Sequence, residues 1–548
     1  MFKEIKRLIC PVILIFLIFT IFIGLNYNKD KKIKSDDRQE ISNLVVFGEN
    51  IVTKYSPFIK DEGMYISFDT IQKVIDKDIY YDKVATKVII TTKDDVLKFK
   101  ISELKMSKNL EYIDIKNPAL LINEEPYIDI NLVKDIYKIK LEYNNEENIL
   151  TIDNIKTSDI ALKYNRVNVY DDISTRANVL TTLSKINKVT VYNETFNHKR
   201  WYKVKTDSGI VGYIAKNNIN IEKTQDEDNV QIAQNNEKIT MFWQYGSALN
   251  TLGNSKIDGV NVVSPTWYEL KNSDGEINSK FSQAYFNKAK SFGYKIWPII
   301  TNGIDSASYL PSDTSKFLNS EYNREKFIIN VLALAKANKL DGINIDFEQM
   351  KVEDKDKFTQ LIKEMAPLLR KENITLSVDI YFVEYISRKD MGKFSDYVIL
   401  MGYDQRGGWS NEAGSISEIS WVDGKVKSLL EDSKIPHEKI ILGVPFYSRM
   451  WTQKNGIDVP RSKIYSMQDC LDFVTNNKLT TRLDEKSGQN FAQYLKGSTT
   501  YKLWLEDEVS LKSRVDIVNK YKLAGISGWQ KALATDNVFK VIKDNLEI

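Results

Sequence analysis

The chain has 548 residues, with 77 lysines and arginines against 74 acidic residues and a formal net charge of +3. This length allows about two to four domains, and the balanced charge argues against nucleic acid as the main partner, because neutralising phosphates needs a basic excess. With two histidines and two cysteines, a Ser-His-Asp triad, a Cys-His pair and a histidine- or cysteine-rich metal site are all disfavoured. If the chain is an enzyme, we expect carboxylates, tyrosines or lysines to carry the chemistry, without a metal or cofactor.

The N-terminal segment predicts a membrane anchor. Residues 8–25 read LICPVILIFLIFTIFIGL, an uncharged run that follows three basic residues. At ~1.5 Å per residue, a helix of this length crosses most of a ~30 Å hydrocarbon core. No small-x-small cleavage site follows, which favours an uncleaved signal anchor over residues 1–28, and removal of the segment would make the protein secreted.

We therefore expect a single-pass protein of the cell membrane with its domains outside the cell. A charged linker over residues 29–42 joins the anchor to them. Its lysines lie directly after the apolar span, so the flanking charges do not orient the anchor. The exterior placement depends instead on the kind of domain that follows.

Residues 43–155 predict an α+β stalk domain made of two similar halves. Residues 64–92 and 126–153 share the order strand, helix, strand, polar turn, strand. Each half resembles the copper amine oxidase N-terminal-like domain of bacterial surface proteins. The stretch contains no histidine or cysteine, so the resemblance implies no copper here, and we interpret the domain as a stalk or wall-proximal spacer.

Residues 158–222 predict a small β-barrel, because several β-prone runs are separated by turn-rich intervals. Trp201 in the run WYKV and Tyr213 in the run GYI make this segment resemble a bacterial Src-homology-3-like module. Such modules often bind cell-wall peptides or glycan, so these two aromatic residues are either ligand contacts or core residues. A polar linker over 223–237 follows.

Residues 238–548 predict an α/β fold, a (β/α)8 TIM barrel. Apolar β-like runs alternate with helical patterns, and the eight runs are 239–245, 259–267, 294–302, 342–348, 374–382, 397–404, 439–447 and 525–530. Eight such units favour a barrel with a small insertion between strands seven and eight. A doubly wound sheet is the alternative, but the chain lacks a glycine-rich phosphate loop.

Barrel enzymes carry their active sites at the C-terminal ends of the strands. Polar or aromatic residues end four of the predicted strands, and they are Asn344, Asp346, Glu348, Tyr403, Asp404, Tyr447 and Trp529. Because side chains alternate along a strand, Asn344, Asp346 and Glu348 share the face that points to the barrel axis. Two buried carboxylates this close raise the pKa of one of them, which suits a general acid. The alternative is a structural polar cluster at the top of the barrel.

The run DGINIDFE (341–348) resembles the D-x-x-D-x-D-x-E signature of glycoside hydrolase family 18, the chitinase-like family. Further marks of that family are the run MGYD (401–404), Pro445 with Tyr447, and Trp529. Together with the run AGS (413–415) and Trp421, the arrangement resembles the exported bacterial branch with wall-binding modules. That branch includes spore-cortex and cell-wall N-acetylglucosaminidases.

The resemblance implies a retaining hydrolysis in which the substrate's own 2-acetamido group, rather than an enzyme carboxylate, attacks the anomeric carbon. Glu348 would protonate the glycosidic oxygen, Asp346 would hold the acetamido N–H, and Tyr403 would hydrogen-bond the acetamido carbonyl. Trp529 would form the floor beneath the sugar. Two further residues would position the substrate, namely Asp404 and Tyr447.

Asn344 departs from the family pattern, which has aspartate at this position. We count it among the substrate-binding residues, since its amide can hydrogen-bond Asp346. An amide cannot share a proton as a second carboxyl group would, which puts the pH optimum in question more than the reaction. Three tryptophans near strand ends either line further sugar subsites or belong to the core, and they are Trp243, Trp267 and Trp297.

The predicted function is that of a surface-anchored glycosidase that cuts β-linkages next to N-acetylglucosamine in peptidoglycan. A chitinase acting on chitin oligomers is one alternative, because both polymers present N-acetylglucosamine to the site. A non-catalytic lectin-like barrel is the other, and the intact Glu348 argues against it.

Overall fold

The structure is a computed structural model that describes residues 37–154, 159–196, 200–219, 237–303 and 310–547. The predicted anchor and nearly all of the linker over 223–237 lie outside these residues, as does most of the linker over 29–42. Within the described ranges, no helix is both long and apolar enough to span a membrane. Anchoring therefore stays a prediction from the sequence.

The described residues divide into two compact units. The first contains the described parts of 1–81, 99–106 and 113–226. The second contains 82–98, 107–112 and the described residues from 227 onward.

Both halves of the stalk show the predicted order of elements. The first half consists of strand Gly63–Ser67, helix Phe68–Val74 and strands Tyr80–Asp82 and Lys87–Thr91. The second consists of strand Glu125–Asp129, the short helices Ile130–Leu132 and Lys134–Tyr137, and strands Ile139–Asn144 and Ile149–Asn154. The other strands of this region are Gln39–Glu40, Asn43–Val46, Glu49–Asn50, Phe58–Lys60, Val96–Lys100, Lys105–Lys108, Glu111–Asp114 and Leu120–Ile122.

A six-stranded antiparallel sheet forms the small β-module. Its strands are Asp159–Ala161, Val167–Tyr170, Val179–Leu183, Lys188–Phe196, Trp201–Thr206 and Val211–Ala215. Trp201 is buried, and its ring lies edge-on to Tyr170 at 5.8 Å. Trp201 is therefore a core residue, while Tyr213 is half-buried.

Eight parallel strands close into a barrel within the described part of residues 237–547, as predicted. They are β1 Ile239–Gln244, β2 Val262–Leu270, β3 Ile299–Thr301, β4 Gly342–Asp346, β5 Thr375–Ile380, β6 Tyr397–Met401, β7 Ile440–Pro445 and β8 Gly525–Trp529. β1 pairs with both β2 and β8, which closes the ring. Lys295–Ile296 adds a short pairing with β2, and Ile277–Ser279 forms a hairpin with it.

Helices alternate with the barrel strands in the chain. They are Gln283–Ser291, Pro311–Asn319, Glu321–Ala337, Lys355–Lys371, Arg388–Phe394, Ile419–Glu431, Glu508–Lys520 and Asn537–Asn545. The apolar face of β4 is buried, and Phe347 just beyond it packs against Phe317, Phe327 and Phe358 of these helices. That packing leaves the other face of β4 for the barrel interior.

The insertion between β7 and β8 is a five-stranded antiparallel sheet with one helix. Its strands are Tyr447–Lys454, Ile457–Ser466, Arg482–Asp484, Gln489–Lys496 and Thr499–Trp504, and the helix is Met467–Asn476. A reciprocal cap between Ser466 and Asp469 begins this helix. The insertion lies where the sequence predicted it.

Candidate active site

A pocket opens at the C-terminal ends of the barrel strands. Six residues singled out from the sequence line it, and they are Trp243, Asp346, Glu348, Tyr403, Asp404 and Trp529. They come from β1, from the end of β4 and the segment after it, from the segment after β6, and from β8. The barrel therefore brings together carboxylates, a phenol and two indoles that lie far apart in the sequence.

The backbone of Glu348 is clamped by Asn302, which follows β3. The Glu348 N–H donates to Asn302 Oδ1 at 3.2 Å, and Asn302 Nδ2 donates to the Glu348 carbonyl at 2.8 Å. Asn302 is buried. Sequence reasoning missed it, although a polar residue at the end of a predicted strand was a usable signal.

Asn344 lies beneath the pocket and does not line it. The Trp243 indole N–H donates to Asn344 Oδ1 at 2.9 Å, and Asn344 Nδ2 donates to Asp379 Oδ1 at 2.8 Å. The side chain is fully buried. The prediction that Asn344 binds substrate is therefore not supported. Its side chain lies between Trp243 and Asp379, which both line the pocket.

Asp379 on β5 is the main residue that the sequence did not single out. It is buried and lines the pocket. Burial raises the pKa of its carboxyl well above the ordinary range, the hydrogen bond from Asn344 opposes this rise, and the charge of Glu348 adds to it. The available signal was an acidic residue inside the apolar run ITLSVDIYF.

Two tyrosines supply hydroxyl groups at or beside the pocket. Burial raises the pKa of Tyr403 well above its usual range, and the neighbouring carboxylates add to the rise, so this phenol stays protonated and can donate. Tyr447 donates its O–H to Asp404 Oδ1 at 2.6 Å. Burial also raises the pKa of Asp404, while the Tyr447 hydrogen bond and Arg449 lower it. Tyr447 thus bonds to Asp404 but is not among the residues that line the pocket.

The tryptophans separate into two groups. Trp529 and Trp243 line the pocket with their rings edge-on at 6.1 Å. Trp267 is fully buried, 4.9 Å from the Phe281 ring, and Trp297 stacks on Tyr397 at 5.7 Å.

The prediction that Trp267 and Trp297 bind substrate is thus not supported, since both belong to the core. For Trp267, the pairing of β2 with β3 shifts register between Thr266 and Tyr268, so simple alternation does not hold there. Trp297 lies ahead of β3, toward the opposite end of the barrel from the pocket. Its ring is buried in the barrel core together with Ile239.

Three aromatic residues of the pocket wall were not predicted. They follow β5 and β6 and are Tyr381, Tyr385 and Trp409, the last of which is 72% exposed. A wall of aromatic faces with a few convergent polar groups is typical of a small-molecule site. Among the described residues, no cluster of histidine, cysteine, aspartate and glutamate is arranged to hold a metal ion.

The family profile for glycosyl hydrolases family 18 matches residues 209–533, more than half of the chain. The chain belongs to glycosyl hydrolases family 18. It is accordingly a glycoside hydrolase, and Asp346 and Glu348 occupy the last two acidic positions of the family signature. The profiles of the copper amine oxidase N-terminal domain and of the bacterial SH3 domain match residues 45–152 and 165–220.

Curated relatives match about half of the chain. The uncharacterized glycosylase YvbX of Bacillus subtilis is 25% identical over 282 residues, which cover 49% of this chain and 80% of that protein. The cortical fragment-lytic enzyme of Bacillus anthracis is 23% identical over 288 residues, which cover 50% of this chain and 66% of that protein. The match to the second relative thus spans slightly less than two thirds of its length.

Solved structures share the barrel fold. The spore cortex-lytic enzyme SleL of Bacillus cereus gives a TM-score of 0.51 at 21% identity, covering 57% of this chain and 75% of that one. A chitinase from Chromobacterium violaceum gives 0.51 at 17% identity, covering 56% and 98%. At these identities the likeness shows the fold alone.

Proposed function

We propose that the chain hydrolyses β-linkages next to N-acetylglucosamine in peptidoglycan of the cell wall or spore cortex. The observation that carries the proposal is the meeting of Asp346 and Glu348 with Tyr403 and Trp529 in one pocket. The names of the cortical fragment-lytic and spore cortex-lytic relatives support the choice of polymer.

The reaction uses the substrate's acetamido group as the nucleophile. Glu348 donates its proton to the glycosidic oxygen as the bond to the leaving sugar breaks. The acetamido carbonyl oxygen bonds to the anomeric carbon and gives an oxazolinium ion, whose positive charge lies beside the carboxylate of Asp346. Water then attacks the anomeric carbon, the bond from that carbon to the acetamido oxygen breaks, and Glu348 takes back a proton from the attacking water.

Tyr403 and Trp529 hold the reacting sugar. The Tyr403 hydroxyl stays protonated over the working pH range, so it can donate to the acetamido oxygen and fix the angle of attack. Trp529 offers a flat apolar surface below the ring and is itself held edge-on by Trp243. Asp404 lines the pocket, accepts a hydrogen bond from Tyr447, and can accept another from a sugar hydroxyl.

A pair of cations beside the pocket favours peptidoglycan over chitin. The Arg388 guanidinium and the Lys425 ammonium lie 4.4 Å and 4.0 Å from the centre of the Phe382 ring. Lys425 is also 5.8 Å from the Trp421 ring, which neighbours the pocket residue Tyr381. In the part of the chain that the structure describes, neither cation forms an ion pair with a carboxylate. Peptidoglycan carries carboxylates on its muramic acid and peptides, whereas chitin carries none.

Neutralising this cation pair tests the choice of polymer. The double variant Arg388→Gln and Lys425→Gln is expected to raise KM for peptidoglycan fragments by about 3- to 10-fold, since each exposed charge pair contributes up to ~1 kcal/mol. Its KM for a neutral N-acetylglucosamine oligomer should stay unchanged. An equal rise for both substrates would count against peptidoglycan as the preferred polymer.

Glu348→Gln tests the reaction itself. This substitution keeps the size of the side chain and removes its proton, so turnover of purified peptidoglycan should fall by at least ~10²-fold while glycan binding is retained. Mass analysis of the products should find N-acetylglucosamine at the new reducing ends. Full hydrolysis by the variant would refute the assignment, and binding without cleavage by the unaltered chain would favour a lectin.

The stalk and the Src-homology-3-like module support a location outside the cell, with the apolar run at 8–25 as the membrane anchor. Both resemble modules of bacterial surface proteins, and a wall substrate lies on that side of the membrane. Fractionation of cells with an antibody to the barrel tests this placement. Recovery in the cytoplasmic fraction would refute it.

A further inference from the structure

The carboxyl group missing from position 344 has a counterpart on the neighbouring strand. β4 and β5 pair in parallel, with Asn344 opposite Ser377. The same register, continued two residues along both strands, places Asp379 opposite Asp346. Neighbouring strands lie ~4.8 Å apart, and side chains at matching positions of a parallel pair project to the same face.

The Trp243 indole fixes the orientation of the Asn344 amide. An indole N–H can only donate, so Asn344 Oδ1 must accept from Trp243 and Nδ2 must face Asp379. Asp379 Oδ1 is then the acceptor of the amide N–H. If Asp379 carries a proton, that proton is on Oδ2.

Acidic groups surround Asp379. Asp346 at the end of β4 and Glu348 just after it line the same pocket, as do Tyr403 and Asp404 after β6. The charge of Glu348 acts on Asp379, and that of Asp379 acts on Tyr403. Tyr381, two residues after Asp379 and just beyond β5, also lines the pocket. No lysine, arginine or histidine is among the described residues that line the pocket. Arg449 lies 3.9 Å from Asp404 without lining the pocket itself. Carboxylates gathered in one buried pocket cannot all ionise without a large electrostatic cost, so one of them keeps a proton near neutral pH.

We propose that Asp379, in its protonated form, donates its O–H to the ionised carboxylate of Asp346 and thereby sets the pH above which Asp346 can hold the acetamido group. The inference rests on the proposed function and names a positioning residue for it. Asp379 does on β5 what a second carboxyl group at 344 would do on β4. The pair holds one proton and one negative charge throughout the reaction, so no proton is gained or lost by it.

The burial of Asp379 agrees with this assignment. Burial raises the pKa of this carboxyl well above its ordinary range, which favours its protonated form. A carboxylic O–H is a stronger donor to a carboxylate than an amide N–H is. Donation to the charged form lowers the pKa of the acceptor, here Asp346.

The test compares kcat/KM against pH for three full-length variants on a soluble N-acetylglucosamine oligomer. Asp379→Asn has the same shape and can still accept from Asn344, but it gives Asp346 only an amide donor. The acid limb should move up by about half to one pH unit, and kcat should fall by about 3- to 10-fold. Asp379→Ala, which has no donor, should move the limb further.

The exchange variant, Asn344→Asp combined with Asp379→Asn, provides the matched control. It returns the carboxyl to β4 and puts the amide on β5, and both hydrogen bonds between Trp243 and β5 can form. Its acid limb should return to the position of the unaltered chain, and most of the kcat should be recovered. Tryptophan fluorescence unfolding checks that each variant is folded.

Two results would overturn the inference. One is an acid limb that stays in place in Asp379→Asn, and the other is an exchange variant that behaves no better than Asp379→Asn. An inactive Glu348→Gln together with an unmoved acid limb in Asp379→Asn would remove this inference alone. Full activity in Glu348→Gln would remove the proposed function and this inference with it.

Discussion

Asn302 provides the sharpest test of how the fold positions the catalytic acid. Its side chain bonds both the N–H and the carbonyl of Glu348, at 3.2 and 2.8 Å. Asn302→Ala removes both bonds. A buried group that loses its partner costs about 1–3 kcal/mol. Because Glu348 is only half-buried, water from the pocket can replace part of this, and we expect a stability loss of ~1–3 kcal/mol in total.

The effect on turnover should be similar in free energy to the effect on folding. A displacement of about 1 Å in a catalytic group costs ~10²-fold in rate, so kcat should fall by about 10- to 100-fold with little change in KM. Asn278→Ala is the control, because Asn278 donates to Glu269 at 3.1 Å on the β2 hairpin and makes no hydrogen bond to Glu348.

The assays are steady-state kinetics on a soluble N-acetylglucosamine oligomer and urea unfolding followed by tryptophan fluorescence. All tryptophans except Trp201 lie in the second unit, so the fluorescence reports mainly on the barrel. An Asn302→Ala variant with unaltered kcat and reduced stability would exclude this positioning role of Asn302. It would mean that Glu348 keeps its position without the clamp.

Three further predictions follow from buried charges. Lys98 is buried and bonds within the second unit to Glu321 at 2.7 Å and to two more glutamates, so Lys98→Met should lower the free energy of unfolding by ~3–5 kcal/mol. Lys87→Met removes one ion pair at a more exposed site and should lower it by under ~1 kcal/mol. Equal losses of stability in urea unfolding would contradict this. Tyr447→Phe removes a hydrogen bond that lowers the pKa of Asp404, so the acid limb of kcat/KM should move to higher pH, and an unmoved limb would exclude a role for ionised Asp404. Because the pKa of Asp379 is raised on folding, the native state binds its proton more tightly than the unfolded chain, and stability is lost as pH rises from about 4 toward the raised pKa. Asp379→Asn lacks this loss, so its stability relative to the unaltered chain should increase with pH in urea titrations, and a constant difference would refute the assignment.

The catalytic carboxylates could be predicted from the sequence because strand alternation is a local property. On β4 and just after it, the apolar residues Ile343, Ile345 and Phe347 need a hydrophobic environment, and this turns Asp346 and Glu348 to the other face. The eight apolar runs likewise have the period and spacing of barrel strands. The residues that form a turn or a helix cap lie within a few positions of each other in the chain, so turns and caps are local properties as well.

Contacts across strands could not be predicted in this way. The sequence leaves Asp379 as one acidic residue among 74, and only the pairing register of β4 with β5 brings it to Asn344 and the pocket. Asn302 meets Glu348 for the same reason, across the junction of β3 and β4. Trp267 is buried at a register shift between β2 and β3 that no residue pattern marks.

The barrel, its insertion and the acidic face of β4 could thus be predicted, because each follows from periodicity or from residues close together in the chain. Which side chains support that face depends on how the strands come together. Register between parallel strands is set by the packing of the whole sheet, and side chains from β1, β3 and β5 reach β4 only after the ring has closed.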